Sequence, residues 1–440
     1  MALTLVVLGL VSRFAFFGHP QEVVFDETHF GKFMNGYVTG SYFFDIHPPL
    51  AKLMFAGVAR VIGYKADYTF EKIGEKYTSS QYLWFRLLPS LAGAFFPLLI
   101  FFLALELGIR PRYAFFAGLL LVFDNALIVQ SRFILLDAFL LLFGFTALLA
   151  YLRFLKSRSI VLLTCVGLLA ISAALIKWTG LSFLGLIGIH YLLQHKNYSF
   201  SYFLKGFVFL AIVPVIFYAS IFIIHFSLLT KSGSGDAFHT PAFQKTLFNS
   251  TYSKDQTITP LPLVQKIIEL NKTLYTSQAG MDSTHPTSSK WYEWPIMKKP
   301  IFYWVSSDGK DGKIYFFGNP VTWYFGVIAA LIVLYEIAKR LYVFFMKQRI
   351  RDEYFFDIEK HRNLLFLFGG YCANILPFIL IHRLMFLYHY LVALVFSILI
   401  FVYLLDKNHS MIKGIPLKPF LVLVIVIFCI LAPLTYGLGL

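Results

Sequence analysis

Apolar runs separated by short polar breaks dominate the chain. Runs on the order of 20 residues, the length a helix needs to cross a hydrocarbon core of about 30 Å, fall near residues 2–18, 83–107, 112–129, 133–153, 160–176, 178–194, 203–229, 319–345, 363–381, 384–405 and 418–438. They predict an all-α polytopic membrane protein with about eleven transmembrane helices. Two long segments, 19–82 and 230–318, interrupt the pattern and are expected outside the bilayer, carrying short interfacial helices. The first run is short and has no basic stretch before it, so an uncleaved helix fits better than a signal peptide. Within the first long segment Leu50, Leu53, Met54, Gly57, Val58 and Val61 recur at helical spacing, with Lys52, Ala56 and Arg60 on another face. That pattern predicts a helix lying in the membrane interface.

Composition strengthens the membrane reading. Of 440 residues 58% are hydrophobic, 19% aromatic and 14% charged, and the mean hydropathy of +0.70 is far above that of a soluble chain. The net charge of +15, from 38 Lys and Arg against 23 Asp and Glu, does not point to nucleic acid, because the basic residues come in loop-sized packets, as they do in cytoplasmic loops. The packets are Arg110 and Arg112; Arg153, Lys156 and Arg158; Lys196 and Lys205; Lys339, Arg340, Lys347, Arg349, Arg351, Lys360 and Arg362; and Lys407, Lys413 and Lys418. With an odd number of spans this bias predicts a cytoplasmic N-terminus and puts both long segments on the luminal or exterior side. Asn249 and Asn271 head glycosylation sequons in the second of them. Three cysteines, Cys165, Cys372 and Cys429, lie in apolar runs and are expected to be buried small hydrophobes.

Charged groups that apolar runs normally exclude are the candidates for chemistry. Asp26 and Glu27 follow the first run, Arg86 opens the second, and Asp124, Asn125 and Arg132 bracket a short turn. Asp137 lies within the fourth run, and Lys177 and Arg383 stand at tight turns. The topology gathers all but the deeper Asp137 near one surface. Two carboxylates facing several guanidinium groups suit chemistry on an anionic lipid, since arginine offers paired donors to phosphate and keeps its charge when partly desolvated. Each group taken singly has a plainer reading: Asp124 or Asp137 as a structural partner of Arg132, Arg86 or Arg383 as a snorkelling anchor. Asp45, His47 and His285 are metal-ligand types, but a lone acid with a lone histidine reads first as hydrogen-bonded structure. No Gly-rich phosphate loop, Cys-x-x-Cys or His-Glu-x-x-His occurs.

Several stretches together resemble the protein O-mannosyltransferases, a family with the GT-C type of membrane glycosyltransferase fold. They are Phe25-Asp26-Glu27-Thr28-His29-Phe30-Gly31, Asp45-Ile46-His47-Pro48-Pro49-Leu50-Ala51-Lys52-Leu53, Arg86, Phe123-Asp124-Asn125 and Ser131 to Asp137. The likeness resumes at Lys177-Trp178-Thr179-Gly180, Ser232 to Phe238, His285-Pro286, Trp291 to Pro295, and Arg383-Leu384-Met385-Phe386-Leu387-Tyr388-His389-Tyr390. The resemblance implies one GT-C transmembrane catalytic domain over 1–440, transferring mannose from dolichyl-phosphate mannose to Ser or Thr hydroxyls of secretory-pathway proteins at the endoplasmic reticulum membrane. It implies Asp26 as catalytic base, Glu27 as its acidic neighbour and Arg86 as part of the essential constellation; together with the groups gathered at that surface, the expected donor-phosphate or substrate-binding set is Arg86, Arg132, Arg383, Lys177, Asp124, His47 and His285. Because the mannose is β-linked in the donor and α-linked in the product, the reaction inverts. One carboxylate takes the hydroxyl proton while the phosphate leaves as an anion, so a metal is optional. A homodimer or a heterodimer with a related transferase is the partnership the resemblance suggests.

The sequence departs from the eukaryotic pattern in one respect. Those enzymes carry a β-trefoil of three MIR repeats between the stretches matching Ser232–Phe238 and His285–Pro295, where this chain has only about fifty residues without repeats. Segment 230–318 is expected to stand in its place. Two alternatives stay open from residue types alone: another GT-C transferase using a different polyprenyl-phosphate sugar, and a transporter whose acids form an ion path.

Overall fold

A computed structural model describes residues 1–194, 199–280, 285–306, 312–346, 361–381 and 383–439. Lys196, Lys347, Arg349, Arg351 and Lys360 of the basic packets lie outside the described residues. In chain order the helices are α1 (Ala2–Phe14), α2 (Glu27–Thr39), α3 (Leu50–Val61), α4 (Tyr82–Glu106), α5 (Pro111–Val122), α6 (Asn125–Arg132), α7 (Asp137–Ser157), α8 (Ile160–Ile176) and α9 (Leu181–Leu193). Next come α10 (Phe200–Phe207), which runs through one π turn into α11 (Val213–Leu228), then α12 (Pro241–Gln244) and α13 (Leu263–Ala279). An antiparallel hairpin of β1 (Ile301–Val305) and β2 (Lys313–Phe316), in register Ile301 to Phe316, precedes α14 (Pro320–Phe345), α15 (Arg362–Ala373), α16 (Leu391–Asp406) and α17 (Leu417–Tyr436).

Every expected apolar run forms helix, and length divides the runs. Among the described residues seven helices are long and apolar enough to cross a membrane, eight if the bent pair α5 and α6 is one span. The helices at Ala2–Phe14, Ile160–Ile176 and Trp178–Leu193 are shorter apolar ones. The chain is a multi-pass membrane protein. The α5–α6 pair corrects the expectation of a straight run over 112–129: the two helices meet at 59°. Asp124 makes the break, because its Oδ1 accepts the Leu127 N–H at 3.0 Å and so caps a new helix. Its Oδ2 accepts from Asn319 N–H at 3.1 Å and Trp323 Nε1 at 2.8 Å. The cysteines also depart from expectation: Cys429 is exposed on the outer face of α17, and Cys165 and Cys372 are half-buried.

The two ends of the bundle differ. At one end the basic loops are tied together, Arg110 to Asp406 at 2.5 Å, Lys156 to Glu106 at 2.6 Å, Lys407 to the Gly108 carbonyl at 2.9 Å and Arg362 to Gln194 at 3.2 Å. At the other end the two long segments pack on each other: the Tyr42 N–H donates to Lys231 O at 2.8 Å, and Gln278 Nε2 to Ile46 O at 2.6 Å. The helix expected from residue 50 is present as α3, but it buries Ala51, Lys52, Phe55 and Ala59 while Gly57 and Val61 face outward. The inward lysine explains the inversion, since Lys52 Nζ pairs with the Asp45 carboxylate and donates to His47 O at 2.6 Å.

Segment 19–82 is pinned by one buried ion pair. Glu27 and Arg86 are both fully buried, with Arg86 Nε to Glu27 Oε1 at 2.8 Å and Nη2 to Oε2 at 2.7 Å. The remaining donors of Arg86 go to Pro20 O at 2.8 Å, Glu22 O at 2.8 Å and Gly18 O at 3.3 Å. Glu27 also accepts the N–H groups of Val24 at 2.8 Å and Ile134 at 3.0 Å, and the Tyr77 hydroxyl at 3.1 Å. A buried pair satisfied on both sides is strongly destabilising to break, because the surviving charge is left without a partner in a low-dielectric interior. We expect Arg86→Lys, whose point charge cannot reach Glu27 and three carbonyls together, to lose about 2–4 kcal/mol of stability. A melting temperature in detergent equal to that of wild type would show that these bonds do not hold the segment.

Candidate active site

The two adjacent acids have opposite fates. Glu27 spends its oxygens on Arg86, Tyr77 and two backbone N–H groups, so it has no capacity left for a substrate. Asp26, at the N-cap of α2, makes no hydrogen bond or ion pair through its carboxylate with any described residue and is only partly buried. Burial pushes its pKa up to about 6, with His29 and Lys177 pulling down and Asp137 and Asp45 pushing up. A free carboxylate whose pKa lies near neutrality has the chemistry of a general base.

Lys177, whose charge acts on Asp26, also lines a cavity of about 690 Å³, within the range of ligand sites, whose wall Asp26 itself does not join. His47, Lys177, Arg383 and His389 bring charged and polar groups to its wall, while Trp178, Leu181, Pro377, Phe378, Leu380 and Ile381 make an apolar side. Lys177, at the end of α8, is held by both oxygens of Asp137 at 2.8 Å and lies over the Tyr388 ring at 4.7 Å. Asp137 therefore partners Lys177 and not Arg132. Arg383 makes no hydrogen bond or ion pair with a described residue, so its guanidinium is available to an anion. Burial, with Lys177, Lys52, Arg383 and His389 nearby, keeps His47 well below the usual histidine range and hence neutral at pH 7. The wall thus combines fixed cations, a neutral imidazole and an apolar flank, which matches a phosphate joined to a hydrocarbon chain.

Of the expected phosphate ligands, Lys177, Arg383 and His47 come together and the others do not. Arg86 is consumed by Glu27 and backbone carbonyls. Arg132 donates to Arg13 O at 3.1 Å, Phe16 O at 2.9 Å and Ala15 O, and stacks over Tyr436 at 4.7 Å, so it caps the C-terminal carbonyls of α1. Asp124 is the buried cap of α6. His285 is exposed, with Nδ1 2.9 Å from the Thr287 hydroxyl and the ring against Phe386, and it does not line the cavity. His389, Gln278, Tyr275 and Asn374 are wall residues that residue types did not single out, although His389 lies in the stretch from Arg383 that carried the resemblance. Among the described residues no group of three or more His, Cys, Asp or Glu side chains is placed to hold a metal ion.

Residues 3–230 match the family described as dolichyl-phosphate-mannose-protein mannosyltransferase, and residues 263–440 match the C-terminal four-transmembrane region of protein O-mannosyltransferase. The chain is 37% identical over 272 residues to dolichyl-phosphate-mannose–protein mannosyltransferase 4 of Candida albicans, a match covering 57% of this chain and 36% of that one. It is 33% identical over 266 residues to protein O-mannosyltransferase 1 of Drosophila melanogaster, covering 56% and 29%. The matches thus span about a third of the length of these curated relatives. The solved S. cerevisiae protein O-mannosyltransferase Pmt1-Pmt2 complex, bound to the sugar donor, superposes with a TM-score of 0.89 at 20% identity, over 99% of this chain and 90% of that one. That likeness establishes the GT-C fold. With the family's signature running from residue 3 to 230 and its C-terminal region from 263 to 440, this chain belongs to the dolichyl-phosphate-mannose–protein mannosyltransferase family.

Proposed function

We propose that the protein transfers mannose from dolichyl-phosphate mannose to Ser or Thr hydroxyls of proteins, with Asp26 as general base. The observation that carries this is the Asp26 carboxylate, unpaired among the described residues, within electrostatic reach of Lys177, which with Arg383 walls the cavity. The acceptor oxygen attacks C1 of mannose as the C1–O bond to phosphate breaks. Asp26 takes the hydroxyl proton, and the phosphate leaves with the bonding pair, its growing charge stabilised by Lys177 and Arg383. The apolar flank from Trp178 to Ile381 takes the first isoprene units. The names of the curated relatives support the reading. So does the sugar donor in the yeast complex, whose two-protein composition also favours a dimer with a related transferase here.

The same proposal assigns Glu27 and Arg86 to positioning and leaves phosphate binding to Lys177, Arg383 and His47. Segments 19–82 and 230–318 would face the endoplasmic reticulum lumen, with the basic loop end and the N-terminus in the cytoplasm. Segment 230–318, packed directly on Tyr42 and Ile46, would occupy the place of the MIR repeats.

The deciding experiment is transfer of labelled mannose from dolichyl-phosphate mannose to a Ser/Thr-rich peptide by the purified protein, with the glucosyl donor run beside it. Asp26→Asn should lose about 10²–10⁴-fold in kcat with donor affinity kept; near-normal turnover would remove Asp26 from the role. In the wild type, turnover should fall as pH drops through about 6, where Asp26 takes up its proton. The raised pKa also means that the charged carboxylate costs stability above about 6 and nothing once both folded and unfolded forms are protonated, below about 4. Asp26→Asn should therefore melt higher than wild type at pH 7.5, with the gap closing as pH falls from about 6 to about 4.

Arg383→Ala should raise the donor dissociation constant about ten- to a hundredfold, the loss of one charge-assisted phosphate contact, with no change in melting temperature. Unchanged donor binding would assign the arginine to the surface. For orientation, Asn249 stands exposed in a left-handed turn, whereas Asn271 is held on α13 by Tyr218 at 2.5 Å and Ile267 O at 2.8 Å. Expressed in a eukaryotic secretory membrane, the protein should lose a glycan with Asn249→Gln and not with Asn271→Gln; labelling of an Asn249→Cys variant by a cytoplasmic-side thiol reagent would invert the proposed topology.

A further inference from the structure

A line of three buried side chains without a part in the chemistry above ends on Lys177. Tyr303 on β1 donates its hydroxyl to Gln130 Oε1 at 2.5 Å, Gln130 Nε2 donates to Asp137 Oδ2 at 2.6 Å, and Lys177 Nζ reaches both Asp137 oxygens at 2.8 Å. All four side chains are buried. At the near end the Tyr303 ring stacks on Phe25 at 3.9 Å and 8°, and the Phe25 N–H donates to Tyr303 O at 3.2 Å. Phe25 has φ 47, a left-handed conformation that a side chain with a Cβ adopts only under constraint. The hairpin therefore holds the backbone just before Asp26 in a shape it would not take alone. One continuous series of contacts joins Phe25 to the ammonium of Lys177 through β1, α6 and α7.

We propose that Tyr303, Gln130 and Asp137 are positioning residues that fix the separation between Asp26 and the ammonium of Lys177. The proposal rests on the reading of Asp26 as base and Lys177 as phosphate ligand. In an inverting transfer the attacking hydroxyl and the leaving phosphate lie on opposite sides of one carbon, so the groups that serve them must keep a set distance while bonds are exchanged. Asp26 and Lys177 come from separate segments of the chain, and no hydrogen bond joins their side chains. The Tyr303–Gln130–Asp137 series supplies the missing brace. The charged and titratable groups facing Asp26 are His29 on its own helix, Lys177, Asp137 and Asp45, with the Tyr303 and Tyr388 hydroxyls. Removing the charge of Asp137 takes a negative neighbour from Asp26 and frees a positive one, so both changes ease deprotonation of Asp26.

The test uses the full chain in detergent with Asp137→Asn and Tyr303→Phe. In Asp137→Asn the acid limb of kcat/KM should move to lower pH by about half a unit or more, and kcat should drop about tenfold or more as Lys177 loses its anchor. Tyr303→Phe keeps the stack on Phe25 and the charge of Asp137, so its acid limb should coincide with wild type while kcat falls about three- to tenfold at unchanged donor KM. A purely structural role would lower yield or melting temperature and leave the limb where it was. An unmoved limb in Asp137→Asn, or full kcat in Tyr303→Phe, overturns the proposal; if Asp137→Asn does not fold, Tyr303→Phe decides. Infrared titration of the Asp26 carboxyl, with Asp26→Asn as the blank, reads the Asp137 coupling without turnover. A wild type that transfers no mannose but shows this coupling refutes the assigned reaction alone, and an active wild type without it refutes the brace alone.

Discussion

A fully buried carboxylate and a fully buried guanidinium, Glu27 and Arg86, hold the site end of the molecule together. Neither charge is tolerable there by itself, and each is saturated: the fork of Arg86 gathers the carbonyls of residues 18, 20 and 22, while Glu27 gathers N–H groups from residues 24 and 134. The pair thus ties the end of α1, the start of α2 and the break after α6 to α4. Its consequence for Asp26 is indirect and large. With the neighbouring acid immobilised, the N-terminus of α2 has one orientation, and the adjacent carboxylate is presented without being used.

The remaining charges around the cavity follow the same economy of partners. Asp45 neutralises Lys52, and Asp137 neutralises Lys177. Among the described residues this leaves the anion Asp26 and, on the cavity wall, the cation Arg383 without an ion-pair partner. A bound phosphate diester would meet Arg383 and the shared ammonium of Lys177, and the leaving phosphate, more negative than the ester, would meet them more strongly. Under the proposed reaction such a distribution would stabilise the departing group more than the arriving one, which is the condition for catalysis rather than mere binding.

The apolar runs made the helices legible, because a stretch of apolar residues leaves the backbone no water to bond with and folds onto itself. The break at Asp124 was not legible, since an aspartate inside an apolar run reads equally as a ligand, an ion-pair partner or a helix cap. The same ambiguity sorted the candidate cations. Arg86, Arg132 and Arg383 are indistinguishable as residue types; Arg132 is claimed by carbonyls left open at the end of α1, and Arg86 by Glu27 and the carbonyls of the loop after α1, demands that exist only once those segments are packed. Asp26 and Glu27 were legible as a pair but not in their division of labour, which depends on Arg86, about sixty positions away. His47, Lys177 and Arg383 line one cavity because the chain turns at each of them at the same end of the bundle. Lys52 read as part of a polar outer face and proved to be the buried one, since its partner Asp45 lies seven residues earlier in a loop whose path the helical periodicity does not report.

The seam between α1 and α17 reaches toward the site. The Tyr436 hydroxyl donates to Ser12 O at 2.7 Å, its ring carries Arg132 at 4.7 Å, Asn125 donates to Thr435 at 2.6 Å, and His19 meets Gly437 O at 2.9 Å. These contacts join residues more than three hundred or four hundred positions apart, and α1 also packs closely on α4 at Gly9, where a Cβ would lie 2.2 Å from the Ala94 carbonyl oxygen. The backbone leading from α1 to Asp26 thus takes neighbours from α4 on one side and from the end of α17 on the other. A change in α17 would therefore be felt along the stretch of chain that presents Asp26, although no described residue of α17 lines the cavity.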